Sequence, residues 1–127
     1  MSQATLPTTQ IFQSVMQQLM IENPNRRTYD RVPWRQAVSV QALDEDFAPV
    51  GEEFKAMSSD ISRNGLGLIS SVKPVSDYLR IEAREAGLAM LAKITHATDI
   101  GDDFPQFLLG TELIRDFPDA SAPSVQI

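Results

Sequence analysis

From residue 37 to residue 117 the chain alternates apolar and polar side chains in short stretches, and this period of two restricts what it can build. Residues 78–84 are the clearest case, with Leu79, Ile81 and Ala83 facing one way and Arg80, Glu82 and Arg84 the other. Successive side chains of a strand point to opposite faces, so the pattern gives one buried face and one wet face. Further strands are expected over 37–42, 54–59, 66–70, 88–98 and 107–117, separated by breakers that include Pro49, Gly51, Pro74, Gly87 and the acidic turn 99–103. Six short strands at regular spacing predict an all-β fold, a small antiparallel barrel or sandwich.

Ahead of the strands the period changes. Ile11, Phe12, Val15, Met16, Leu19 and Met20 form two adjacent rows at a spacing of four, which predicts an amphipathic helix. Thr8 or Thr9 suits its N-cap, and Pro24 requires it to stop earlier. The other face is mostly uncharged, with Gln10, Gln13, Ser14, Gln17 and Gln18. Such a helix docks on its own domain or is offered to a partner or a second copy. The 127 residues fit one domain, divided into a helix and lead-in (1–24), a strand-rich body (25–117) and a Pro/Ser/Ala-rich flexible tail (118–127).

Composition narrows the function. A formal charge of -6 makes the chain a poor general binder of nucleic acid, because its long-range field repels a polyanion. A small, compact anion is a different case. With no cysteine and one histidine, His96, neither a thiolate metal site nor a Ser/His/Asp arrangement is expected. No apolar run approaches a membrane span and no basic start precedes an apolar stretch, so the expectation is a cytoplasmic protein without membrane insertion, metal or cofactor.

Against that acidic background, residues 25–35 reverse the sign. They read NRRTYDRVPWR and hold Arg26, Arg27, Arg31 and Arg35, four of the eleven basic residues. Pro24 and Pro33 disfavour a helix through them, so these arginines are expected on a loop, with Arg35 opening the first strand. A guanidinium is planar, forked and permanently charged, which suits it to phosphate oxygens and to the O6/N7 edge of guanine. The cluster is either a solvated basic loop or an anion site. A second cluster, DISRNG, carries Asp60, Ser62 and Gly65. If the strand runs into it, Asp60 and Ser62 share a face, where a carboxylate and a hydroxyl can accept protons from guanine N1 and N2. Gly65 then gives the permissive backbone of a sharp turn. Alone, the same residues describe an ordinary turn.

Taken together and in this order, the two clusters resemble the signature of the PilZ domain family: an RxxxR ahead of the barrel, here Arg27 to Arg31, and a (D/N)xSxxG on an early strand, here Asp60, Ser62 and Gly65. Val32 and Pro33 follow the second arginine as they commonly do in that family, and Gly110 begins a GxEL similar to its frequent GxxF, with Leu113 in place of Phe. Arg31 to Arg35 repeats the RxxxR spacing, but the step to Val32-Pro33 favours Arg27 and Arg31 as the pair. The resemblance implies a six-stranded antiparallel β-barrel that binds cyclic di-GMP. Arg27 and Arg31 would clamp phosphate and guanine, Asp60 and Ser62 would read a guanine edge, and Gly65 would shape the turn. Arg26, just before the RxxxR, implies an intercalated ligand dimer.

The expected function is therefore that of a receptor or adaptor, not an enzyme, which changes conformation on binding and signals to an unidentified downstream protein. A PilZ-like interaction module that binds no nucleotide is the alternative. A small oligonucleotide-binding barrel would use the same arginines with Tyr29 and Trp34 as stacking platforms, but the acidic balance opposes it. Asp102 and Asp103, paired acids of the kind an enzyme uses, have no visible catalytic partner.

Overall fold

The structure, a computed structural model, describes residues 6–22 and 31–116. The helix α1 (Thr8–Glu22) is followed by seven strands: β1 (Arg31–Pro33), β2 (Ala37–Leu43), β3 (Phe54–Ser62), β4 (Gly65–Ser70), β5 (Tyr78–Ala83), β6 (Leu88–Asp99) and β7 (Phe107–Asp116). Six of them close into an antiparallel barrel. The pairing runs β3, β2, β5, β6, β7, β4, and β4 returns to β3. Closure leaves the six no free edge along the ring, which resolves the choice between barrel and sandwich.

Alternation delivers the core. Leu79 and Ile81 of β5, Leu66 and Leu68 of β4, Met90 of β6 and Leu109 of β7 have no exposed surface. In β5 the register is fixed by this choice, because a slip of one residue would turn Arg80 and Glu82 into the core. Gly87, which ends the short 3-10 turn Arg84–Ala86 before β6, has φ 75°, a backbone state that only glycine adopts freely. The two longest strands, β6 and β7, change register between Leu91 and Ala92 and again between Ile94 and His96. Such bulges coil the ribbon and help the sheet close.

The expected strands all form, with ends moved by a few residues. The largest extension is β3, which runs on through Asp60 to Ser62. The seventh strand, β1, corrects the expectation that Arg31 sits on a loop. Arg31, Val32 and Pro33 pair with Ser62, Ile61 and Asp60 of β3. Proline is tolerated there because, among the described residues, β3 is the one strand that pairs with β1, and an edge strand can forgo one ladder donor. Arg35 does not open a strand: β2 begins at Ala37, and residues 34–36 cross from β1 to β2 along the same side of β3. Ser58 fastens that crossing. Its hydroxyl donates to the Trp34 carbonyl at 2.5 Å and accepts from the Gln36 amide at 2.8 Å.

The helix docks on its own barrel, against β1, β3 and β6, and buries Ile11, Phe12 and Met16. Asp116, at the end of β7, meets its first turn: Oδ1 accepts from the Thr8 amide at 2.9 Å and from the Thr8 hydroxyl at 2.5 Å. An anionic oxygen on the unsatisfied N–H groups of a helix start is favourable on both hydrogen-bonding and dipole grounds. Antiparallel connectivity then sorts the molecule into two ends. One carries α1, β1, the β3–β4 turn and the β5–β6 turn; the other carries the connections 44–53, 71–77 and 100–106.

Candidate functional site

Arg31 and Asp60 meet on the outside of the barrel. Pairing of β1 with β3 sets Pro33 opposite Asp60 and Arg31 opposite Ser62, one pleat along on the same face. The Arg31 guanidinium forms an ion pair with Asp60 Oδ1, and the two side chains are 47% and 30% exposed. Ile61, between Asp60 and Ser62, points into the core with no exposed surface. The strand thus holds Asp60 outward while its neighbour anchors it.

A second grip on the carboxylate comes from β4. The Gly67 amide donates to Asp60 Oδ1 at 3.1 Å, and the Ser59 hydroxyl lies 3.4 Å from Oδ2. A methyl group on Gly67 would stand 2.6 Å from Ser59 Oγ and 2.8 Å from Asp60 Oδ1, so this position must be glycine for the carboxylate to lie where it does. Gly67 was not among the expected site residues. The available signal was its spacing: two residues after Gly65, it faces the same side of β4.

Gly65 has a different role from the one expected. Its φ is not positive, and the turn does not depend on its backbone freedom. A Cβ at this position would lie 2.0 Å from the Thr111 carbonyl oxygen, so Gly65 is required by the close approach of β7. Around it, the Thr111 hydroxyl donates to the Leu66 carbonyl at 2.8 Å and the Leu113 amide donates to the Asn64 carbonyl at 2.5 Å. Ser62 is only 6% exposed, and its hydroxyl is engaged inside the turn, 3.1 Å from Asn64 Oδ1 and 3.4 Å from the Gly65 carbonyl. It shares the outward face with Asp60 but not the carboxylate's surroundings.

The turn is also tied to the helix. Between Ser62 and Asn64, the Arg63 guanidinium lies over the Phe12 ring, 5.6 Å from its centroid, and the Arg63 carbonyl accepts from the Thr9 hydroxyl at 3.0 Å. Between α1 and β1 runs an open groove of about 400 Å³, lined by Ser14, Val15, Gln18, Leu19, Val32 and Pro33. Arg26 and Arg27 lie outside the described residues, as does Tyr29. Trp34 packs against the core beside the Ser58 crossing. His96 is exposed and its ring fills the space above Gly110, where a Cβ would come within 2.0 Å of Cε1.

Among the described residues there is no group of three or more His, Cys, Asp or Glu placed to hold a metal, and no helix is long and apolar enough to cross a membrane. No family model matches the chain, and no curated protein or solved structure matches it.

Proposed function

We propose that this chain is a PilZ-type cyclic di-GMP receptor that takes its ligand on the outer face of β3, beside β1. The supporting observation is the meeting of Arg31 with Asp60, two residues 29 positions apart that the chain brings together on a solvent-facing surface. A guanidinium has five donors and Asp60 engages part of that fork, which leaves the rest for a phosphate or a guanine O6/N7 edge. The Asp60 carboxylate, steadied by the Gly67 amide, accepts from guanine N1 and N2. Binding thus exchanges an internal ion pair for contacts with a dianion that carries both complementary groups. Ser62, turned inward, keeps the turn in shape and reaches a guanine only if its hydroxyl leaves Asn64. Arg27 and Arg26 supply the remaining cations, since the four and five residues of chain that separate them from Arg31 span no more than about 14 and 18 Å.

Signalling follows from the two attachments of α1. Its first turns are fastened to the β3–β4 turn through Thr9 and Phe12, and its last residue leads into the arginine segment. A ligand that draws on both the turn and the segment acts on both ends of the helix, and a downstream cytoplasmic protein reads the result. A switch of this kind needs a preference of a few kcal/mol for one arrangement. A micromolar dissociation constant corresponds to about 8 kcal/mol, which covers that requirement.

Calorimetry tests the reading. Cyclic di-GMP is expected to bind the native protein with micromolar or tighter affinity and two ligands per chain, and Arg27→Ala, Arg31→Ala and Asp60→Ala each to weaken binding at least about tenfold. One ligand per chain with Arg26 intact would remove the intercalated dimer alone. A folded native protein that takes up no ligand would overturn the proposal. In its place would stand a second reading, favoured by the Arg31–Asp60 pair being complete within the protein: a fastener for β1 in a barrel that contacts other proteins and binds no nucleotide.

A further inference from the structure

The end of the barrel away from Arg31 and Asp60 carries a hollow of about 460 Å³ between the β2–β3 and β4–β5 connections. Val50, Phe54, Val72 and Val75 give it apolar walls, and Glu52, Glu53 and Lys73 also line it. Val75 is 76% exposed and Val72 41%, so apolar side chains lie open to water at its rim.

Its walls are preformed. The Gln41 side-chain amide donates to the carbonyls of Val50 and Gly51, each at 3.2 Å, and the Val50 amide donates to the Ala42 carbonyl at 2.9 Å. On the facing wall the Ser70 hydroxyl donates to the Val72 carbonyl at 2.8 Å and accepts from the Val72 amide at 3.0 Å. A site fixed in this way loses little conformational entropy when it is filled.

Charge identifies the occupant. Residues 44–53, 71–77 and 99–106 hold nine carboxylates and one lysine, whereas the rest of the chain holds eight carboxylates and ten basic residues. The barrel end with the hollow therefore carries more negative charge than the whole chain's net of -6, and the remainder is slightly positive. We propose that this end is a docking surface for a basic segment of a partner protein, which seats an apolar side chain in the hollow and sets Arg or Lys against Glu52 and Glu53. The same end of a second copy presents the same strong negative charge and is repelled, and an anionic lipid surface is repelled likewise. Because the hollow and the arginine site lie at opposite ends of the barrel, this surface stands or falls separately from nucleotide binding.

The probe is a synthetic peptide, Arg-Arg-Leu-Val-Arg-Arg, titrated into the full isotope-labelled chain, with Glu-for-Arg and Ser-for-Leu/Val versions as controls. Saturable amide shifts centred on residues 50–54 and 72–75 are expected, with binding at least about tenfold weaker for the Ser version and undetectable for the Glu version. Val75→Ser, at a surface position that the fold does not need, and the pair Glu52→Lys/Glu53→Lys are each expected to weaken it at least about tenfold. Equal affinity for the Ser version, or an unchanged Val75→Ser, would mean electrostatic adsorption only and would overturn the proposal. So would the absence of any shift, or shifts at these residues that grow with protein concentration and no peptide, which would assign the surface to a second copy.

Discussion

At the scale of single residues, Asp60 and the glycine beneath it are where the proposed function can be told apart from folding. The Arg31–Asp60 pair is partly exposed and screened by water, so Asp60→Asn should change unfolding free energy by less than about 1 kcal/mol in denaturant titration. Asp60→Ala, which removes both acceptor oxygens, should weaken cyclic di-GMP binding at least about tenfold, whereas Asp60→Asn, whose amide oxygen still accepts, should weaken it less. Gly67→Ala pushes on side chains that can yield, whereas Gly65→Ala pushes on the Thr111 backbone, which cannot. Gly65→Ala should therefore cost more stability, toward the upper end of the roughly 1–3 kcal/mol typical of overpacking, while Gly67→Ala mainly displaces Asp60. Urea melts of the two variants beside their ligand affinities would show the contrast. Reversal of the order would mean that Asp60 is not seated by Gly67.

At the scale of elements, α1 is secured by a buried apolar face that includes Phe12 and by the Asp116 carboxylate at its start. Phe12 is 1% exposed, so Phe12→Ala should cost about 3–5 kcal/mol, and it also removes the surface on which Arg63 rests. Asp116→Ala removes the acceptor from the helix start and should cost about 1 kcal/mol, with hydrogen exchange at the Thr8 amide accelerated. Here the sequence is informative in one respect and silent in another. Rows at a spacing of four name the docked face of α1 correctly, and alternation names the inner face of β5, because burial dominates those choices. The pairing of β1 with β3 is not legible. Three residues ending in proline carry too little pattern to declare a strand, and what makes them one is the outward extension of β3 beyond its pairing with β2. Similarly, Gly65 looks like a turn residue until β7 lies across it.

Across the whole molecule, connectivity turns a chain of modest net charge into one with two unlike ends. Among the described residues, Arg31, Arg63 and Arg84 lie toward the end that carries α1 and β1, whereas nine of the seventeen carboxylates lie in the far loops. That separation would let an acidic protein attract the proposed small dianion at one place while opposing nucleic acid in general. Raised salt should accordingly weaken cyclic di-GMP binding far less steeply than it weakens the binding of a polyanion, as calorimetry at two ionic strengths would show. The closed barrel, with many of its pairings distant in sequence, should also fold on the millisecond-to-second scale typical of all-β domains. The most direct test of the proposed site follows the Gly67 amide by NMR as cyclic di-GMP is added, because its hydrogen bond to Asp60 reports any change in that carboxylate's partners. The account predicts that Gly67 is among the residues most shifted at saturation and that Arg31→Ala moves the titration to at least about tenfold higher ligand; an unmoved Gly67 in a protein saturated with ligand would contradict it.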